Sequence, residues 1–160
     1  MGEVMITPLF ALLLQVTPVA PIVKGTALPP PANDDAAVMA PIQALLGAIG
    51  TGDGNAVLGV TRPEGSATVA SEGAQPGVRS FRWADFAARL KPSGDKVEER
   101  LGTPAIEIDG NVAMVWAPYT VTVNGQIHHC GYDHFDLVRE GGTWKVLNVT
   151  WNQHTTGCAA

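Results

Sequence analysis

Three turn signals in one stretch constrain this chain more than anything else in it. Residues 109–154 read DGNVAMVWAPYTVTVNGQIHHCGYDHFDLVREGGTWKVLNVTWNQH, and Asp109-Gly110-Asn111, Asn124-Gly125 and Gly141-Gly142 divide them. Asn-Gly favours a two-residue hairpin turn, because both of its central residues must take a positive φ. The runs between the turns are rich in Val, Trp, Tyr, Thr and Phe, which suit a pleated surface. The pattern predicts successive antiparallel strands over about 112–123, 126–138 and 143–154, with a fourth entering before Asp109.

The front of the chain follows a different period. Val38, Ile42, Leu45, Leu46 and Ile49 recur at helical spacing, and Gly50 to Gly54 end the run. Pro41 favours a first-turn position, so the helix is expected to start nearer Ala40 than Asp35. A short second helix over 55–58 is plausible. Residues 60–80 carry one short strand around Ala67 to Ala70, and SFRWADFAARL from Ser80 reads as a helix stopped at Pro92. Lys96–Leu101 and Ala105–Ile108 alternate as strand around Gly102-Thr103-Pro104. Helices first and a bent antiparallel meander afterwards define an α+β layout.

A two-residue turn at Asn124-Gly125 pairs Thr120 with His129, Trp116 with Asp133, Met114 with Phe135 and Val112 with Leu137. A Gly141-Gly142 turn likewise sets Leu137 against Val146, Phe135 against Asn148, Asp133 against Thr150 and His129 against His154. Paired residues share a face. That face runs from an apolar end (Val112, Met114, Phe135, Leu137, Trp144, Val146) to a polar end (Thr120, His129, Asp133, Thr150, Asn152). Such a gradient suits a cone closed at one end and open at the other. Pro118 cannot donate to a ladder and predicts a bulge or an edge, which would bring Tyr119 into the pocket in place of Trp116.

The expected ligand pocket is therefore Trp116, Tyr119, Thr120, His129, Asp133, Phe135 and Thr150. Aromatic walls beside a few polar groups suit a small, partly apolar molecule. His129 and Asp133 are the catalytic candidates, as an acid/base pair straddling the ligand; the alternative is a structural histidine and a carboxylate bonded to strand-edge groups. Strand alternation sends His128 and His134 outward, so no three ligands converge and no metal is expected. No P-loop, dinucleotide fingerprint or nucleophile elbow occurs, and no cofactor is expected. The opposite face, with Val115, Tyr119, Val121, Tyr132, Leu147, Val149 and Trp151, is too apolar for water and predicts a homodimer around Tyr132 and Trp151. Coverage by the Pro-rich arm or the 60–80 loop is the other solution. With 16% charged residues and a net charge of −5, nucleic acid is not an expected partner.

A helical front followed by a bent meander, with Ala113-Met-Val-Trp-Ala-Pro-Tyr119, Asn124-Gly125, His129-Cys-Gly-Tyr-Asp-His-Phe135, Leu137-Val-Arg139 and Trp144-Lys-Val146, resembles the nuclear transport factor two-like superfamily. Within it the motifs resemble a secreted bacterial branch of small proteins of unassigned function. The resemblance implies helices packed on a strongly curved antiparallel sheet that forms a cone. The superfamily holds ketosteroid isomerase, scytalone dehydratase, limonene epoxide hydrolase and polyketide cyclases beside non-catalytic association domains, so the fold leaves activity open. Isomerase logic needs a base and a neutral carboxylic acid. Asp133 suits the base, but no second carboxylate falls on its face in this register. Dehydratase logic matches His129, Asp133 and Tyr119 in type. These implications leave a binding domain, a lyase or isomerase using His129 or Asp133, and a dimerisation or association domain.

Residues 4–23 are apolar and precede a Pro-rich run. They read as a secretory signal over 1–27 with Gly25-Thr26-Ala27 at the cut, then a linker over 28–34 and one domain over 35–160. Glu3 and the absence of Lys or Arg before the apolar run leave a non-signal start open. The prolines argue against a membrane span in the mature chain. Cys130 and Cys158 would pair in a secreted or periplasmic setting and remain two buried thiols in a reducing one.

Overall fold

The computed structural model describes residues 32–72 and 76–158, so the expected signal segment 1–27 and most of the linker lie outside the described residues. Among the described residues three helices and seven strands follow in the order α1 (Ala32–Thr51), α2 (Gly54–Val60), β1 (Thr61–Ser71), β2 (Gly77–Arg82), α3 (Trp83–Arg89), β3 (Val97–Leu101), β4 (Ala105–Asp109), β5 (Val112–Val123), β6 (Gln126–Glu140) and β7 (Thr143–Gln153). The strands form one sheet in the order β2-β1-β7-β6-β5-β3, with β4 also on β5. The sheet does not close. The layout is α+β with helices packed on the sheet, as the turn signals and periodicity predict.

Several elements differ from expectation for physical reasons. α1 starts at Ala32 and runs through Pro41. Pro41 lacks the N–H that would reach the carbonyl four residues back, yet it is buried beside Val38 and Ile42, where packing outweighs the lost bond. β1 is eleven residues long, not one short strand, and it pairs parallel to β7. The sheet is therefore mixed. Residues 80–82 end β2, so α3 begins at Trp83. The Trp83 indole, fully buried, donates to the Leu147 carbonyl at 2.7 Å and ties α3 to β7.

The meander departs from the expected register by one residue. Asn124 and Gly125 take φ of 52° and 80°, as a two-residue hairpin turn requires. Val123 pairs with Gln126 and Thr122 with Ile127, as the turn dictates. A bulge then interrupts the ladder at His128, and the next pair is Val121 with His129. Beyond it Thr120 faces Cys130, Ala117 faces Asp133, Trp116 faces His134 and Val115 faces Phe135. A second irregularity, at Leu147, leaves Leu137 opposite Val146 as expected but sets Phe135 against Val149 and Asp133 against Trp151. Each bulge adds one residue to one strand and so exchanges the faces of its partner.

Pro118 causes no bulge. It lies where β5 passes from β3 to β4, in the gap between the Leu101–Tyr119 and Ala105–Trp116 pairs, and its carbonyl accepts from the Gly102 N–H at 2.8 Å. An absent donor costs nothing where no strand asks for one.

Candidate functional site

Register decides which side chains face the helices. Cross-strand rows on the inner face read Ile106–Val115–Phe135–Val149, then Ala117–Asp133–Trp151, then Leu101–Tyr119–Gly131, then Glu99–Val121–His129. The first row is core. Ala117 and Gly131 are too small to fill the next two rows, and a cavity of about 250 Å³ opens there. Leu45, Leu46 and Ile49 of α1 and Phe86 of α3 roof it, over Val121, Phe135, Val149 and Trp151 of the sheet. Its polar lining is Glu99, Tyr119, His129, Asp133 and Gln153.

Of the expected pocket residues, Tyr119, His129, Asp133 and Phe135 line this cavity. Trp116, Thr120 and Thr150 do not, because the bulges at His128 and Leu147 turn them to the other face. Trp116 is 47% exposed there, stacked on Tyr132 at 5.2 Å and near His134 at 6.1 Å. The outer face changes to match. Tyr132 is exposed on it, whereas Val115, Tyr119, Val121, Val149 and Trp151, expected outside, face the interior. Val112, Met114 and Trp116 take their place outside.

Asp133 sits at the centre of the cavity wall with 3% of its surface exposed. Its Oδ2 has no hydrogen-bond partner among the described residues. Burial pushes its carboxyl up to about 9, and the neighbouring Glu99 carboxyl adds to the shift. Glu99 is raised as well, again by burial, with the adjacent Asp133 carboxyl opposing. Two buried carboxyls side by side cannot both ionise cheaply, so a proton stays with Asp133 at neutral pH. The Tyr119 hydroxyl donates to the Asn152 carbonyl at 2.9 Å. Burial, then the charges of Asp133 and Glu99, raise its pKa, so it stays a neutral phenol.

His129 lines the same cavity. Its ring meets the Tyr119 ring edge-on at 5.7 Å, and its Nδ1 lies 2.8 Å from Nδ1 of His128. Burial and the charge of His128 lower its pKa, which favours the neutral imidazole. His129 and Asp133 do not form a dyad: the Tyr119–Gly131 row separates them. Among the described residues no three His, Cys, Asp or Glu side chains group as metal ligands.

Glu99 is the residue that sequence reasoning missed. Val97, Glu99 and Leu101 share one face of β3, so alternation alone marks Glu99 as a charge on an apolar face. Just outside, a wider groove between α1 and β3 shares Leu46, Gly50, Val97 and Glu99 with the cavity. Cys130 and Cys158 are joined, with Cα atoms 5.7 Å apart, beside the bridge between Cys130 and His154. The bond pins Cys158, beyond β7, to the residue that follows His129.

Comparison with known proteins agrees with this architecture. The family described as "Putative lumazine-binding" matches residues 33–152. No curated protein matches the sequence. Among solved structures, a protein of unknown function with a cystatin-like fold from Nostoc punctiforme is 10% identical at a TM-score of 0.62, over 78% of this chain and 94% of that one. An NTF2-like protein from Cytophaga hutchinsonii is 12% identical at 0.64, over 76% and 99%. A protein from Novosphingobium aromaticivorans, described as a "putative aromatic ring hydroxylase", is 19% identical at 0.57, over 79% and 95%. At these identities the likeness establishes the nuclear transport factor two-like fold alone.

Proposed function

We propose, from the premise that the chain belongs to the family described as "Putative lumazine-binding", that it binds a small, partly apolar molecule in the cavity around Asp133. One observation carries this reading: a buried carboxyl whose Oδ2 has no partner borders an open apolar space. An unsatisfied buried polar group costs about 1–3 kcal/mol, and a bound ligand is the natural way to recover that. Tyr119, His129 and Glu99 would orient the ligand, and Phe135 and Trp151 would hold its rings. The descriptions of the family and of the Novosphingobium protein both concern flat ring systems, which suit these walls.

Lumazine is the first compound to titrate, with Trp151 fluorescence as the readout. Saturable quenching is expected, and Asp133→Leu should abolish it because the shape is kept and the carboxyl is lost. Quenching that survives in Asp133→Leu would place the ligand elsewhere.

A second reading is acid–base chemistry of lyase or isomerase type on the same ligand. The Glu99–Asp133 pair favours it, since one carboxyl kept protonated beside another that can ionise provides an acid and a base together. Exchange of α-hydrogens of small ketones in D2O, followed by NMR, tests it; exchange no faster with the protein than without it would rule it out.

Two further readings concern setting and assembly. The Cys130–Cys158 bond suits a secreted or periplasmic protein whose mature chain begins near Leu28. Intact mass of natively expressed protein checks both parts; a chain retaining Met1 and two free thiols would refute them. The exposed Trp116–Tyr132 stack, with Val112 and Met114 beside it, suits a homodimer through the outer face.

A further inference from the structure

The charge inventory of the cavity is one-sided. Every ionisable group facing it is Glu99 from β3, Tyr119 from β5, or His129 and Asp133 from β6. α1 contributes Leu45, Leu46 and Ile49, α3 contributes Phe86, and β7 contributes Val149, Trp151 and Gln153. No Lys or Arg lines the space among the described residues. The nearest cations on β3 and just before it are engaged outside: Lys96 and Arg100 both pair with Glu98, at 3.2 and 3.7 Å. Neither Glu99 nor Asp133 has a cation partner among the described residues.

Resting on the reading that this cavity binds a small molecule, we propose that its ligand carries a basic nitrogen: the cavity takes a small apolar amine and turns away carboxylates and phosphates. The geometry supports this in three ways. The Oδ2 of Asp133 is an acceptor without a donor, on a side chain that lines the cavity and is almost wholly buried. Glu99 stands beside it, so an ammonium group seated there meets two carboxyls at once. The aromatic faces of Tyr119, Phe135 and Trp151 favour a cation near them and would repel an anion. A carboxylate or phosphate ligand would find no counter-ion among these lining groups and would sit against the Glu99–Asp133 pair.

Binding has a proton balance. Near neutral pH the pair keeps a proton on Asp133, and a neighbouring ammonium favours the ionised carboxyl. That proton leaves to solvent as the amine enters, while the amine keeps its own. Affinity should therefore rise with pH until the amine itself begins to lose its proton.

The test uses three probes with one body and three heads: 2-phenylethylamine, 2-phenylethanol and phenylacetate, titrated by calorimetry into the whole protein. The amine is expected to bind about tenfold tighter than the alcohol, as a charge-assisted bond to a carboxylate allows, and the acid more weakly than either. In two buffers of different ionisation heat, the amine titration should report proton release and the alcohol titration none. Glu99→Gln should bring the amine's affinity down toward that of the alcohol, since the charge-assisted bond is lost for the amine alone. An alcohol or acid that matches the amine overturns the proposal. If lumazine binds and the amine does not, the proposal falls while the cavity reading stands. If neither lumazine nor any of the three probes binds, both fall.

Discussion

The two faces of the β5–β6 ribbon are nearly alike in composition and opposite in role. The inner face carries Val115, Tyr119, Asp133 and Phe135, all buried, and the outer face carries Met114, Trp116 and Tyr132, all exposed. Both faces hold aromatic and aliphatic side chains, so hydrophobicity alone does not tell them apart. One extra residue at His128 does, because everything beyond a bulge changes sides relative to its partner strand. What separates the faces is therefore strand phase, and the consequences of phase are measurable.

The largest contrast is between Phe135 and Trp116. Phe135→Ala should cost about 3–5 kcal/mol by urea denaturation, since it empties a packed row, whereas Trp116→Ala should cost under about 1 kcal/mol. Similar costs for the two would mean that the faces are not as distinct as their burial implies. Next comes the bond between Cys130 and Cys158, which closes a loop with a sequence separation of 28. Reduction should lower stability by about 3.5 kcal/mol in the chain-entropy model. It should leave the near-ultraviolet dichroism of the inner aromatics unchanged; loss of that signal would tie the bond to the inner register.

A smaller effect follows from Asp133, and its sign is opposite to that of an ordinary surface carboxylate. Its folded pKa of about 9 lies above the ordinary 3.8, so between those values the folded state holds a proton that the unfolded chain has released. Stability should then fall as pH rises from about 4 to about 9, and Asp133→Asn should flatten that slope and gain on the order of 1–3 kcal/mol at pH 8. Denaturation midpoints at pH 5 and pH 8 measure it; an unchanged slope in the variant would show that Asp133 is not the group responsible. The smallest change in stability is expected on the outer face. Trp116→Glu should move the folding free energy by no more than about 0.5 kcal/mol, the ordinary range for an exposed position. It should nonetheless halve the mass seen by light scattering if the outer face joins two copies. A wild-type monomer would remove that assembly outright.

Much of this was legible from residues alone. The Asn124-Gly125 and Gly141-Gly142 turns, the helix through Ile42 and Leu45, and the strands around Gly102-Thr103-Pro104 follow from local chemistry that acts within a few residues. Phe135, Asp133 and His129 reached the right face because β6 was phased correctly, whereas Tyr119, on β5, was expected there only through a bulge at Pro118 and owes its place to the one at His128. Trp116, Thr120 and Thr150 did not, because their strands sit across a bulge, and neither His128 nor Leu147 differs from an ordinary strand residue. Pro118 invited the wrong site for that irregularity. Glu99 was missed because its partner comes from a strand far away in sequence, and only tertiary packing sets the two carboxyls together. The parallel β1–β7 pairing is non-local in the same way.

The unpartnered oxygen of Asp133 also makes the protein its own assay. A compound that supplies a donor there relieves a strain that is greatest in alkaline buffer, where the folded chain is hardest pressed to keep its proton. Its melting-temperature gain should therefore be larger at pH 8.5 than at pH 5.5. A compound lodged elsewhere, on the outer aromatics or in the α1–β3 groove, would raise the melt about equally at both. Two plates of the same library at two pH values would sort cavity occupants from surface binders before any ligand had a name.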